Sequence, residues 1–361
     1  MTELMKQEEK AVFSLRRLYQ RFGYSQFKMS KFEPYDLYMQ NKDFLVSDGV
    51  IAFTDTDGTF MALKPDVTLS IVKNFRKGSL PVQKVYYNEN VYRIAGAGNT
   101  FREIMQTGLE CMGDVSLYEI CEVILLAAKS LQAISPDFML DISHMQIVWE
   151  ILSSLSLPFE KQAEVLEGIR DKSEDALTDY PDVQKLIRTC GPIAEIIPEL
   201  HQTCSTDTSK QALSQLQAIL HLLQAHGLEQ RVNLDFSIVN DMNYYNGIVF
   251  RGYVEGIPAG VLSGGEYDKL MEKMGKHAKG IGFAVYLDQL ERLDENHRTY
   301  DVDTVIVYSE QEDPAALSKA AEQVSADGRS VLLLKQIPTD LRYANLLNLE
   351  NGRLKAVGNH G

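Results

Sequence analysis

Phe101-Arg102-Glu103-Ile104-Met105-Gln106-Thr107-Gly108-Leu109-Glu110-Cys111-Met112-Gly113 is the stretch on which the fold turns. Residues 103–112 read as one long strand. Successive side chains of a strand point to opposite faces, so Gln106, Gly108 and Glu110 share a face. A Gln and a Glu flanking a Gly leave a polar hole that a flat ligand can fill. A carboxylate buried there without a partner is costly, which points to a ligand or an ion pair. An exposed polar strand face fits the pattern as well, and the stretch alone does not choose.

Working outward, Val82–Tyr87 and Asn90–Ile94 read as two more strands. Residues 94–100 form a small, Gly-rich stretch suited to a hairpin loop. After it, residues 116–134 place Leu117, Ile120, Val123, Ile124, Ala127 and Leu131 on one side of a strong helix. Upstream, Gly49–Phe53 and Thr59–Leu63 flank the polar turn Asp55-Thr56-Asp57-Gly58, a hairpin pattern. An amphipathic helix over 8–22 opens the chain. From about 144 to 229 the pattern is almost wholly helical and reads as an insertion rather than part of the sheet. Strands return at Val232–Phe236, Ile248–Tyr253 and Gly280–Phe283, with a helix expected at Ala284–Leu293. Glu295–Thr299 reads as a polar linker. Beyond it Thr304–Tyr308, Pro314–Asp327 and Ser330–Leu334 spell one βαβ unit of a short α/β domain. The sequence leaves the order of residues 336–361 open.

Composition narrows the function classes. The chain has 361 residues, 45% of them hydrophobic and 24% charged, an ordinary globular mix with room for two or three domains. No apolar run nears the roughly 20 residues that a membrane helix needs. The first residues mix acids and bases without an apolar signal core, so a cytoplasmic protein without membrane contact is expected. Net charge is −14, an average field that repels nucleic acid. Lys73, Arg76 and Lys77 are the nearest thing to a basic patch and read as a solvated helix face. Cys111, Cys121, Cys190 and Cys204 form no CxxC pair and no zinc-finger spacing, so idle thiols are expected, with no metal and no cofactor.

Three further segments concentrate polar or aromatic groups. In Lys64-Pro65-Asp66-Val67-Thr68, an extended chain would set Asp66 beside Thr68, a pair suited to an ammonium group. The plainer reading, which the segment alone favours, makes it the capped start of a helix. Asn240-Asp241-Met242-Asn243-Tyr244-Tyr245-Asn246-Gly247 leads into a strand, and its tyrosines pass for sheet aromatics. Ser263-Gly264-Gly265-Glu266-Tyr267-Asp268-Lys269-Leu270 precedes Gly280-Ile281-Gly282-Phe283-Ala284, and paired glycines let a ligand approach the backbone or simply make turns.

In order and spacing together, these segments resemble histidyl-tRNA synthetase, a class II aminoacyl-tRNA synthetase. Tyr86 to Arg93 followed by 101–113 is similar to its second class motif. Tyr244–Phe250 and Ser263–Leu270 resemble its two histidine-recognition segments, Gly280–Leu290 its third motif, and 21–33 a degraded first. The resemblance covers residues 8–293. It implies an α+β fold, with an antiparallel sheet flanked by helices. The class II core would span 1–295 with its helical insertion at about 144–229. Residues 300–361 would be a short α/β domain resembling a truncated anticodon-binding domain.

Carried over position by position, the resemblance implies a histidine pocket. Asp66, where the synthetases have Glu, and Thr68 would hold the α-ammonium, and Gln106 would serve the α-carboxylate. Glu110, Tyr245 and Tyr267 would surround the imidazole, and Arg93 would keep the first ATP-clamping arginine. The rest of the activating machinery is missing. Gln289 stands where the second arginine is expected, with Arg292 one turn on. Asn240 replaces the arginine of the histidine segment, and Ala95 the acid after the motif-two arginine. Without such donors an adenylate cannot form at a useful rate. The pattern is similar to the family of non-catalytic regulatory subunits of ATP phosphoribosyltransferase. Members of that family pair with a short-form catalytic subunit, with histidine as effector. They imply a homodimer within a hetero-oligomer, and no nucleic acid. A residual ATP-dependent amino-acid-activating ligase and a sensor of uncharged tRNA are the other readings.

Overall fold

The computed structural model describes residues 5–45, 49–95, 100–239, 244–290 and 300–359. The chain divides into two units, residues 1–293 and 294–361. In the larger unit the strands are β1 (Ser25–Gln26), β2 (Phe32–Pro34), β3 (Ala52–Thr54), β4 (Phe60–Leu63), β5 (Val82–Ala95), β6 (Thr100–Gly113), β7 (Phe138–His144), β8 (Cys190–Pro192), β9 (Val232–Asp235), β10 (Ile248–Val254), β11 (Leu262–Glu266) and β12 (Lys279–Tyr286). Nine of them form one sheet in the order β1-β5-β6-β12-β11-β10-β7-β9-β8, and β2-β4-β3 form a small second sheet.

The longest pairing in the large sheet is β5–β6, antiparallel from Val82 opposite Gly113 to Ala95 opposite Thr100. The two strands read from 82–87 and 90–94 are therefore one. The first residues of β6 are largely exposed, whereas Gln106 to Gly113 are buried. That removes the exposed-face reading of Gln106 and Glu110. β12 pairs antiparallel with β6 and sets Gly282 opposite Glu110.

One face of this sheet is covered by helices. α1 (Gln7–Arg21) packs Ala11, Val12, Leu15 and Tyr19 into the core. After the short α2 (Tyr35–Met39) and α3 (Val67–Asn74) comes α4 (Leu117–Ile134). Ser116 caps α4: its hydroxyl accepts from the Tyr118 amide at 3.2 Å, and Glu119 accepts from the Ser116 amide at 2.9 Å. Val123, Ile124, Leu126, Ala127 and Leu131 of α4 are fully buried. At roughly 2 kcal/mol per buried large aliphatic, this face outweighs the helix's single buried ion pair, Glu122 with Lys84.

The stretch between β7 and β9 holds α5 (Met145–Ser154), α6 (Phe159–Arg170), α7 (Pro181–Arg188), α8 (Ile193–Leu200) and α9 (Asp207–Ala225). It is helical, but it is not separate from the sheet. β8 pairs with β9 at the sheet edge, and Ile147, Leu186, Ile197 and Leu216 belong to the same core as α1 and α4. A second correction concerns residues 284–293. The strand runs on to Tyr286 and a single 3-10 turn, Leu287–Leu290, follows where a helix was expected. The β-branched and aromatic run Ile281, Phe283, Val285, Tyr286 favours the strand, paired on both sides. Arg292 and the linker at Glu295–Thr299 lie outside the described residues. After β11 comes the short α10 (Asp268–Lys273).

The smaller unit has β13 (Val302–Tyr308), α11 (Pro314–Ser325), β14 (Val331–Leu334), β15 (Tyr343–Glu350) and β16 (Arg353–Asn359). Its sheet has the order β14-β13-β15-β16, with β13 parallel to both neighbours. The last two strands form a hairpin through Asn351 and Gly352, whose φ angles of 51° and 72° are those of a two-residue primed turn.

Among the described residues no helix is long and apolar enough to cross a membrane. All four cysteines are free, and Cys190 alone is exposed. Lys73 pairs with Glu33 and Lys77 with Asp114, so two of the three clustered cations are already neutralised.

Candidate functional site

The face of the sheet turned from α4 carries a cleft of about 1030 Å³. Asp66, Thr68, Arg93, Gln106, Glu110, Tyr245 and Tyr267 all line it. They come from four segments far apart in the chain, brought together by the β6–β12–β11–β10 order.

Glu110 is the centre of the site. It is 1% exposed. The Thr68 hydroxyl donates to its Oε1 at 2.7 Å and the Tyr267 hydroxyl to its Oε2 at 2.6 Å. Burial pushes its carboxyl up to about 8; the two hydrogen bonds pull it down, and the nearby Asp66 charge raises it further. With no charge partner beyond these residues, Glu110 is therefore largely a neutral carboxylic acid at neutral pH. A ligand that brings a cationic N–H would restore the carboxylate.

Asp66 is the N-cap of α3, with extended backbone and its Oδ1 accepting from the Leu69 amide at 2.8 Å. The segment 64–68 is thus the capped helix start, not an extended strand. This puts Thr68 in the first helical turn, where its hydroxyl reaches Glu110. Burial raises the Asp66 carboxyl, opposed by the Leu69 amide and the Arg93 charge. Arg93, half-buried on β5, donates from Nε to the Pro65 carbonyl at 2.9 Å. Gln106 is 3% exposed, and its Nε2 has no hydrogen-bond partner among the described residues. A buried donor left unmade costs about 1–3 kcal/mol. An acceptor atom brought within reach of Nε2 would recover that cost.

The glycines make room for protein side chains, not directly for a ligand. A Cβ on Gly282 would overlap the Glu110 carboxylate, one on Gly280 the Tyr267 ring, and one on Gly265 the Tyr245 ring. The hole at Gly108 is likewise filled: Tyr87, its register partner on β5, lies where a Cβ would be. Tyr87 also lines the cleft and was not singled out from the sequence. Its signal was a glycine facing an aromatic across the β5–β6 pair. Tyr244 and Tyr245 lie with ring centres 4.5 Å apart and planes tilted by 52°, and Tyr244 meets Tyr267 edge-on at 6.3 Å. The other end of the cleft is lined by Asp141, Arg170, Lys172, Asp235, Ser237 and Arg251, which the sequence reading did not single out. There Lys172 pairs with Asp235 at 2.8 Å.

Gln289 is not a wall of the cleft. Its amide donates to Asp288 Oδ2 at 3.0 Å. Asn240 and the side chain of Ala95 lie outside the described residues, as do residues 96–99 of the loop that follows Arg93. Among the described residues no three His, Cys, Asp or Glu side chains converge as metal ligands.

The histidyl-tRNA synthetase family model matches residues 2–290. An ATP phosphoribosyltransferase regulatory subunit of Alkaliphilus metalliredigens is 29% identical over 287 residues, covering 75% of this chain and 72% of the relative. One from Caldanaerobacter subterraneus subsp. tengcongensis is 28% identical over 324 residues, covering 84% of each. A crystal structure from Bacillus halodurans, described as an ATP phosphoribosyltransferase regulatory subunit/histidyl-tRNA synthetase, superposes with a TM-score of 0.73. Its identity is 24%, with 95% of this chain and 93% of that one covered. An ATP phosphoribosyl transferase (HisG:HisZ) complex from Thermotoga maritima gives a TM-score of 0.61 at 22% identity, over 78% of this chain and 97% of that one.

Proposed function

The chain belongs to the histidyl-tRNA synthetase family, and from that premise we propose that it is a non-catalytic regulatory subunit of ATP phosphoribosyltransferase that binds histidine in this cleft. The observation that carries the reading is Glu110, a buried carboxyl held by Thr68 and Tyr267, with the unpaired Gln106 amide in the same cleft. Glu110 accepts from a ring N–H of histidine, and transfer of charge toward an imidazolium–carboxylate pair strengthens that bond. Gln106 donates to the α-carboxylate, and Asp66 at the start of α3 attracts the α-ammonium. The two regulatory-subunit relatives, each matched over most of its length, support the assignment to that enzyme.

Loss of activation follows from the residues around the phosphate path. Of the positions that the resemblance assigns to the arginine clamp, Arg93 keeps an arginine, whereas Gln289 is engaged with Asp288 and is not among the residues lining the cleft; Arg292 lies outside the described residues. Losing one transition-state donor costs about 3–4 kcal/mol. The partner would be the short-form catalytic subunit, and the protein would be a cytoplasmic homodimer within that hetero-oligomer. Residues 300–361 would be a cut-down anticodon-binding domain. Feedback by histidine requires that it bind one state of the complex more tightly than the other.

The test is ATP phosphoribosyltransferase activity of the catalytic subunit with and without this chain, under a histidine titration. Activity that depends on this chain and falls with histidine supports the reading; indifference to the chain defeats it. The retained Arg93 favours one second reading, residual activation of an amino acid by ATP. Exchange of pyrophosphate into ATP, dependent on histidine, tests it.

A further inference from the structure

Two of the segments that build the cleft are tied together from behind. Glu266 is the last residue of β11, and its side chain lies on the face of the sheet opposite the cleft. It is 8% exposed. Its Oε2 accepts from the Ile248 amide at 2.7 Å and from Gln215 Nε2 at 3.5 Å, while its backbone carbonyl accepts from the Asn246 amide at 3.1 Å. Gly247 sits so close that a Cβ there would overlap the carboxylate. The neighbours of Glu266 face the other way, into the cleft. Gly265 receives the Tyr245 ring, and Tyr267 holds Glu110.

The donors on this carboxylate are themselves fixed. His144 Nδ1 accepts from the Gln146 amide at 3.3 Å, which leaves Nε2 as an N–H that donates to Gln215 Oε1 at 2.9 Å. Gln215 must then turn its amide nitrogen toward Glu266. Burial pushes His144 down to about 4, so the ring is neutral through the physiological range. Beside Glu266, the Asp268 amide donates to Asn246 Oδ1 at 2.8 Å, and Asp268 Oδ1 accepts from the Gly280 amide at 3.0 Å.

We infer that Glu266 is a positioning residue for the ligand cleft: its carboxylate clamps the Tyr244–Ile248 turn to β11 and so fixes where Tyr245 and Tyr267 stand around the ligand. The inference rests on the reading of the cleft as a histidine pocket. Burial raises the Glu266 carboxyl to about 7; Asp268 adds to this, while the Ile248 amide, Lys279 of β12 and Gln215 of α9 oppose it. His144, at the junction of β7 and α5, contributes no charge. The carboxylate also borders a recess of about 280 Å³ beside Ser116, Gln146 and Lys279, through which a proton can reach it. Ionised, it accepts charge-assisted hydrogen bonds; protonated, weaker ones. These bonds do not offset the cost of burying the charge, so opening the clamp to water releases a proton, and the clamp is firmer at pH 6 than at pH 8.

The test is amide hydrogen exchange of the full chain without ligand, read at Asn246 and Ile248 at pH 6, 7 and 8. After correction for the intrinsic rate, protection in the wild-type protein should fall about severalfold from pH 6 to pH 8. Glu266→Gln keeps the shape and one acceptor oxygen, so it should fold and show protection that no longer varies with pH. Glu266→Ala should lose protection at these two amides while α4 stays protected. A Glu266→Gln protein that keeps the wild-type pH profile, or a Glu266→Ala protein that protects both amides, overturns the inference. Histidine titrations of the same three proteins read the consequence, an affinity at least fivefold weaker in Glu266→Ala. If the wild-type protein binds no histidine while exchange behaves as stated, the pocket reading fails and the clamp stands. If it binds equally well in all three, the clamp does not serve the pocket.

Discussion

Gly282 of β12 lies directly opposite Glu110 of β6, and a Cβ on it would overlap both the Glu110 carboxylate and the Leu109 carbonyl. The buried carboxyl exists because its neighbour has no side chain. Gly282→Ala must push Glu110 off its two hydroxyl partners or part the strands. We expect histidine affinity to fall at least tenfold by calorimetry, with a melting temperature lower by several degrees. An unchanged affinity would remove Glu110 from the ligand's reach.

The hydrogen bond from Tyr267 orients Glu110, and Tyr267→Phe deletes the donor while leaving the ring beside Gly280. A hydrogen bond to an ionised group contributes roughly 1.5–3 kcal/mol, against about 1 kcal/mol to a neutral one. If the ligand ionises Glu110, the difference of about 0.5–2 kcal/mol means that Tyr267→Phe should weaken histidine binding by roughly 2- to 30-fold. The same change should lower the stability of the free protein by only about 1 kcal/mol. An unchanged affinity, beside a stability loss of about 1 kcal/mol, would mean that Glu110 does not change its charge on binding.

Much of this was legible in the sequence, and the misses have physical causes. The alternation of Gln106, Gly108 and Glu110 gave their shared face, but burial decides whether that face is wet, and burial comes from β12 and β5, which lie elsewhere in the chain. The extended reading of 64–68 set Asp66 and Thr68 toward a ligand and the plainer one made them a helix start; the structure has the helix start, with both side chains lining the cleft. Only the helix puts the Thr68 hydroxyl within 2.7 Å of Glu110. Gly264 and Gly265 read as places for a ligand to approach; they are places for Phe283 and Tyr245 to pack. The Asn351-Gly352 pair was a plain hairpin signal for the last two strands, and it went unused because the segment around it is short and half-polar. Glu266 could not be found by pattern, since its partners Ile248 and Gln215 are set by tertiary packing alone.

Asp66 has two separable roles. As N-cap it satisfies the Leu69 amide; as a charge it would meet an ammonium. Asp66→Asn keeps a capping oxygen, so stability should change by a few tenths of a kcal/mol, whereas Asp66→Ala should cost about 1 kcal/mol. Both should weaken histidine binding if the charge is used. Loss of affinity in Asp66→Ala alone would assign Asp66 to the helix and not to the ligand.

The raised carboxyls also set how stability depends on pH. Glu110 and Glu266 titrate near 8 and near 7 in the folded protein, above the ordinary value of 4.5. A carboxyl raised on folding binds more protons in the native than in the unfolded state between the two values, so stability falls as pH rises through that window. His144, lowered to about 4 from 6.5, acts oppositely, but only below pH 6.5. Between pH 6.5 and 8 the two carboxyls act without that opposition, and the melting temperature of the free protein should decline. Glu110→Gln should flatten this decline up to pH 8, and Glu266→Gln mainly its lower part. Saturating histidine should flatten it as well, because a bound ring N–H stabilises the ionised Glu110 and draws its folded-state value back toward the unfolded one. A melting temperature that rises from pH 6.5 to 8, followed by calorimetry in buffers of matched ionisation enthalpy, would mean that neither carboxyl is held neutral by its burial.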